Sequence, residues 1–594
     1  MFQTFEVQAR PEQGPPRLKA LRGELRADGF DGFLVPRADT HQGEYVAHRD
    51  ARLAWLTGFT GSAGFCAALL DVAGVFIDGR YRTQVKHQVA DVYTPVPWPD
   101  VQLTDWLKDM LPDGGRVAFD PWLHTVSEVE RWQKDLGGSK IEMVRNANLV
   151  DRIWPDQPAP PMNPVKQHAI EFAGESAADK CARLGQELRD AGQDAAVITL
   201  PDSIMWLLNI RGSDVKRNPL AHGFAVLHSD GCVDLYMAAE KLANVTFGPG
   251  VRVRAPGDSP EGLRQLDGRI RLDRNTAPQA VADALNGKWV AGDDPCLLPK
   301  ACKNAAEIEG SAQAHLRDGA AMVEFLAWLD RQPPDSLTET QVVTRLEQCR
   351  RRDNALQDIS FDTIAGTGPN GAIMHYRVSE DTDRRLEDGH MLVLDSGGQY
   401  LDGTTDITRT IAIGTVGDDE RAAFTRVLQG MIAMSRLRWP AGLAGRDIEA
   451  VGRVPLWLAG QDFNHGLGHG VGAYLSVHEG PQRLSRLSTV PLKPGMILSN
   501  EPGYYREGAF GIRIENLLVV TPAPALPGGD GEREFLNWRT LTYVPVDRRL
   551  IVADMLTRAE RDWLNAYHGE VLEKIGPRVG KAAKLWLDAA AAPL

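Results

Sequence analysis

Cysteine is scarce in this chain, and none of it is organised. Six cysteines stand among 594 residues without a single C-x-x-C pair. That excludes a disulfide scaffold or a thiolate cluster and reads as scattered, reduced thiols in a cytoplasmic protein. A bilayer-length apolar run is also missing: the longest stretch, Phe65 to Ile77, is broken by Asp71. The opening M-F-Q-T-F-E-V-Q-A-R-P-E has no basic region followed by an apolar core, so no secretory signal is expected. Long blocks of one charge sign are absent too. The net charge of −13 is spread along the chain, which argues against nucleic acid or an anionic membrane as partner. What remains is an ordinary globular composition, 43% hydrophobic and 24% charged. The length predicts three or four domains.

An internal repeat organises the first half. Leu21–Val35 (L-R-G-E-L-R-A-D-G-F-D-G-F-L-V) and Leu184–Ile198 (L-G-Q-E-L-R-D-A-G-Q-D-A-A-V-I) both read as an amphipathic helix, a glycine stop and a buried strand. Trp55–Ser62 then matches Trp206–Ser213, and hairpin-like strands follow at Phe65–Asp78 and Gly223–Met237. Two copies in one order predict tandem domains of one α/β fold, at residues 1–154 and 155–302. The proline-rich Trp154–Pro164 is read as the linker.

A third domain is expected from residue 303 to the end. It opens on a long helix, Ala305–Leu329, and a second helix whose Thr338 and Gln341 have capping-box spacing. Strands and tight turns follow: Met391–Leu394, Asp406–Ile413, Met496–Leu498 and one long strand, Ile512–Val520. From Leu556 a helix is expected with Ala559, Trp563 and Leu564 on one face, and Asp588–Leu594 is expected to fray.

The chemistry sits in this last region. Asp395 and Asp406 occupy D-S-G-G-Q-Y-L-D-G-T-T-D-I-T-R-T, where a hairpin-like return brings the two carboxylates together. Burying two acids side by side is unfavourable unless a cation joins them, and nearby Thr405, Thr408 and Arg409 compensate only partly. Alone, the pair also reads as two solvated turn aspartates. His469 in H-G-L-G-H-G-V-G, Glu501 in N-E-P-G and Glu515 in G-I-R-I-E-N change that reading. Strand alternation puts Arg513 and Glu515 on one face, where a buried salt bridge is the bland explanation and metal ligation the sharp one. Four carboxylates and one imidazole without a thiolate suit two divalent ions, Mn²⁺ first, with Co²⁺ or Zn²⁺ as alternatives. Such a pair holds a bridging water as hydroxide at neutral pH.

On these strings the chain resembles the metal-dependent pita-bread peptidases, in the long, three-domain form of the Xaa-Pro aminopeptidase (aminopeptidase P) family. The resemblance covers nearly the whole chain. It rests also on G-P-N-G-A-I-M-H-Y, V-H-E-G-P and E-P-G-Y-Y, and in the first half on H-Q-G-E-Y, G-F-T-G-S-A-G and D-G-R-Y. It implies two ribonuclease-H-like mixed-sheet domains before a pita-bread catalytic domain, and a homodimer. It implies hydrolysis of the N-terminal residue from peptides with proline second. In this resemblance Asp395, Asp406, His469, Glu501 and Glu515 are the metal ligands, with Asp406 and Glu515 bridging both ions. Glu501 is the general base, His375 contacts substrate, and His478 steadies the tetrahedral intermediate. His469, Tyr505 and Arg80 are further substrate-side candidates. Arg513 is expected to fix a bridging carboxylate, and His465 to stand behind the ligands. The competing readings are a prolidase restricted to dipeptides, a methionine aminopeptidase, and a pita-bread binding module without catalysis.

Overall fold

Both halves of the repeat stop their helix in the same way. A computed structural model describes the whole chain, Met1–Leu594. Helix Gly14–Asp28 buries Leu18, Leu21 and Leu25 and ends at Gly29, which takes φ +69°. Helix Ala177–Asp190 buries Cys181, Leu184 and Leu188 and stops ahead of Gly192 at φ +63°. In each case one apolar stripe covers the sheet, and a left-handed glycine turns the chain into it.

Each copy then builds a six-stranded mixed sheet. Strand order across both sheets is fourth, third, second, first, fifth, sixth in chain order. The directions match as well: first–second and second–third pairs are antiparallel, and third–fourth, first–fifth and fifth–sixth are parallel. The central strands Gly32–Pro36 and Ala195–Ile198 are buried on both faces, as expected where helices flank a sheet. Residues Val7–Leu297 form one unit; Leu298–Leu594 form a second, which also includes Met1–Glu6. The first residues therefore depart from the division drawn at residue 1. Phe2 N donates to Glu347 Oε1 at 2.8 Å, and Gln3 Oε1 accepts from Thr363 N at 2.8 Å.

In the second unit the long helix spans Ala305–Leu329, capped by Asn304 and Glu307, and the next spans Glu339–Arg350. A three-stranded sheet runs Ile364–Thr367, Met391–Ser396, Ile407–Ala412. A six-stranded sheet contains Asn516–Pro522, Ile497–Asn500, Gly468–Gly470 and Glu479–Leu484 as successive neighbours. The single strand expected at Ile512–Val520 is two. Phe510–Arg513 pairs with Gly503–Arg506, whereas Asn516–Pro522 pairs with Ile497–Asn500. The break falls at Ile514 and Glu515, so alternation does not place Arg513 and Glu515.

The C-terminal helix, Arg558–Ile575, buries Leu564, Tyr567, His568, Val571 and Ile575 and leaves Ala559 exposed. The end of the chain does not fray as expected. Leu587 and Ala591 are buried, and Leu594 N donates to Asn565 Oδ1 at 2.9 Å. No helix is long and apolar enough to cross a membrane.

Candidate active site

The five acidic and imidazole positions lie in or directly beside strands of the three- and six-stranded sheets just described. Asp395 is the penultimate residue of strand Met391–Ser396, which pairs antiparallel with Ile407–Ala412, so Asp395 faces Thr408 in register and Asp406 directly precedes the partner strand. His469 is central in Gly468–Gly470, Glu501 follows Ile497–Asn500, and Glu515 precedes Asn516–Pro522. Glycine density is what lets the His469 strand approach. A Cβ on Gly468 would lie 1.9 Å from Ser499 O, and one on Gly470 2.5 Å from Glu479 O.

Ligand atoms of Asp406, His469 and Glu515 lie within 4.8 Å of one another. His469 Nε2 is 3.4 Å from Asp406 Oδ2 and 3.5 Å from Glu501 Oε1. Its Nδ1 lies 2.9 Å from Gly470 O, which fixes Nδ1–H as donor and turns Nε2 toward the carboxylates. Asp395 Oδ1, Asp406 Oδ1 and Glu515 Oε1 are buried without a hydrogen-bond donor. Three donor-free buried carboxylate oxygens, two of them clustered with an imidazole, fit divalent metal ions.

The electrostatics agree. Burial, with Asp406 adding to it and Arg513 opposing it, pushes the Asp395 carboxyl up to about 6. Burial and the neighbouring carboxylates of Asp406, Asp395 and Glu501 hold Glu515 well above the ordinary range. Burial pulls the His469 imidazole down, but Asp406 and Glu501 outweigh it and lift it to about 9. Acids forced up and a histidine forced up together mark a centre short of positive charge.

Hydrogen bonds around the cluster hold it in place. Arg513 grips Asp395 Oδ2 through Nη2 at 2.6 Å and Nε at 3.2 Å, rather than either of the two carboxylates expected to bridge. Its Nη1 donates to Tyr505 OH at 2.6 Å, and Tyr505 OH lies 2.9 Å from His465 Nε2. The Tyr505 hydroxyl thus lies between Arg513 and His465. Arg409 makes no hydrogen bond to the carboxylates: it donates to Asn516 Oδ1 and to the main-chain oxygens of Glu515, Val544 and Pro545.

Thr408 Oγ1 donates to Glu515 Oε2 at 2.8 Å, and Ser499 Oγ joins His469 N to Glu501 Oε1 at 2.9 and 3.2 Å. Sequence reading gave Thr408 only partial charge compensation and missed Ser499, whose sole signal is its place two residues before Glu501. The His478 ring packs edge-on to His469, centroids 4.3 Å apart. The next residue, Glu479, is fully buried between Lys300, at 2.9 Å, and Lys303, which anchors the strand behind His478. His375 follows the helical turn Gly368–Ala372, which packs on strands Met391–Ser396 and Phe510–Arg513.

Arg80 belongs to the first unit, where its guanidinium forks onto Asp78 at 2.7 to 3.2 Å. Three motifs meet there: Ser62 Oγ donates to Glu44 Oε1 at 2.9 Å and lies 2.7 Å from Tyr81 OH.

Residues 309–522 match the metallopeptidase family M24 model, and 534–594 match the C-terminal region of peptidase M24. Residues 17–153 and 156–307 each match a Creatinase/Prolidase N-terminal domain. Aminopeptidase P2 of Arabidopsis thaliana is 37% identical across 94% of this chain and 85% of its own length. A probable Xaa-Pro aminopeptidase P of Laccaria bicolor is 38% identical across 97% and 93%. The X-prolyl aminopeptidase of Caenorhabditis elegans, described as a cytosolic enzyme with a di-nuclear active site, superposes with TM-score 0.93 at 30% identity, covering 98% of this chain and 100% of that one. By sequence, domain order and fold, the chain belongs to the Xaa-Pro aminopeptidases of metallopeptidase family M24.

Proposed function

We propose that this chain removes the N-terminal residue from peptides with proline in second position, using two divalent metal ions held by Asp395, Asp406, His469, Glu501 and Glu515. The observation that carries the reading is the trio of buried, donor-free carboxylate oxygens of Asp395, Asp406 and Glu515, two of which share a cluster with His469. A bound pair of divalent ions activates water at neutral pH and polarises a carbonyl oxygen. Around that chemistry, Glu501 Oε accepts the proton released as the nucleophile forms and returns it to the departing proline nitrogen. His478 donates to the carbonyl oxygen as that atom gains charge, and His375 orients the peptide. An Xaa-Pro bond is a tertiary amide without N–H, so recognition here cannot use that donor.

The oxygen-rich donor set favours Mn²⁺, with Co²⁺ and Zn²⁺ as alternatives. Six free cysteines and the cytosolic relative support a cytoplasmic site of action. A homodimer through the second unit accords with its solvent-facing apolar residues Trp457, Leu458 and Leu487, exposed by 41, 86 and 90%.

Glu501→Gln tests the assignment of the base. Turnover of Arg-Pro-Pro should fall by roughly 10²–10⁴-fold, with an unchanged circular dichroism spectrum. Full activity in that variant refutes the role of Glu501.

A further inference from the structure

Glu339 is the first residue of helix Glu339–Arg350, and its side chain is completely buried. Its carboxylate collects five hydrogen bonds, all from neutral donors. Oε1 accepts from Thr367 N at 2.7 Å and Asn370 Nδ2 at 3.1 Å. Oε2 accepts from Asn370 Nδ2 at 3.0 Å, Tyr376 OH at 2.8 Å and Arg384 N at 3.2 Å. Burial pushes the Glu339 carboxyl up to about 7 against the pull of these donors. A buried acid satisfied only by neutral dipoles is a poor way to stabilise a core, because an apolar residue there leaves no charge to desolvate. The helix N-terminus offsets part of that desolvation.

What distinguishes the arrangement is where the donors come from. All of them lie in one segment, Thr367 to Arg384, and that segment contains His375. Asn370 fixes the helical turn before the histidine. Tyr376, directly after it, is buried, and its hydroxyl also touches Thr382 O and Thr382 Oγ1 at 2.9 Å. The backbone of His375 is therefore held on both sides by a single carboxylate.

We propose that Glu339 is a positioning residue for the reaction: it clamps the loop that presents His375 to the substrate. The clamp rests on the role proposed for His375, and a double-mutant cycle tests it. kcat and KM for Arg-Pro-Pro are measured on Mn²⁺-loaded protein carrying Glu339→Gln, Tyr376→Phe, His375→Ala and the two pairs with His375→Ala. Bound metal and Tm are recorded for each.

The clamp predicts that Glu339→Gln lowers kcat/KM about tenfold or more in the wild-type background, and less than twofold once His375 is already alanine, with metal content unchanged. Tyr376→Phe, which removes one bond and keeps the ring, should show the same pattern with a smaller loss, so a misfolded Glu339→Gln does not decide the question. A purely structural role lowers Tm equally in both backgrounds and multiplies the activity losses. Equal fold-losses with and without His375, or no loss in the wild-type background, overturn the clamp. Wild-type turnover in the same series stands or falls by itself and carries the proposed activity.

Discussion

At the scale of single residues, the cluster is built to be incomplete without cations. Asp395, pushed up to about 6, and Glu515, held well above the ordinary carboxylate range, both keep protons in the folded, metal-free chain that the unfolded chain releases near pH 4. His469, lifted to about 9, keeps its proton above the ordinary imidazole range. All three folded values are raised. The stability they confer is complete below the unfolded values and is lost as pH climbs through the folded ones. The metal-free protein should therefore lose stability across roughly pH 4 to 9, by an amount on the order of a few kcal/mol. Metal needs deprotonated ligands, so its stabilisation runs the other way. Thermal denaturation of chelator-treated and Mn²⁺-loaded protein should give a Tm difference that widens from pH 5 to pH 8. A difference that is flat or narrows with pH would contradict this electrostatic account.

The five positions proposed as ligands stand out because each sits in a short string where carboxylate or imidazole has few other uses. Their supports do not. Glu339 meets Thr367 across 28 positions and Thr408 meets Glu515 across 107, and no local pattern announces such a pairing. Arg513 was expected behind the ligands, but its choice of Asp395 depends on a strand break that periodicity does not reveal.

At the scale of elements, the site depends on how closely three strands of the six-stranded sheet approach. Gly468 is the narrowest point, since its missing Cβ leaves room for Ser499 O. Gly468→Ala must push the His469 strand away from Ile497–Asn500 and with it separate His469 from Glu501. We expect a loss of metal affinity on the order of 10–100-fold, read from activity against free Mn²⁺. An unchanged metal titration would show that the close approach is not what sets the ligand geometry.

Helices and the repeat were plain in the sequence because their stripes are long: Leu18, Leu21, Leu25 and Cys181, Leu184, Leu188 share one spacing and one glycine stop. The Ile512–Val520 segment misled because both of its halves are buried, and apolar content alone carries no sign of a change of sheet. The C-terminal end misled because its anchor, Asn565, lies on another helix.

At the scale of the molecule, two mixed sheets of the same topology precede a unit whose three- and six-stranded sheets share one dinuclear-type cluster. The domain order and the similarity along nearly the whole chain set it with the Xaa-Pro aminopeptidases of metallopeptidase family M24. The most direct measurement is reconstitution. Metal-stripped protein is supplied with Mn²⁺, Co²⁺ or Zn²⁺ and assayed on the tripeptide Arg-Pro-Pro and the dipeptide Gly-Pro. The account predicts no turnover without metal and release of arginine from the tripeptide when metal is restored, fastest with Mn²⁺. Cleavage of the dipeptide alone would make the chain a prolidase, and silence with every metal would contradict the account outright.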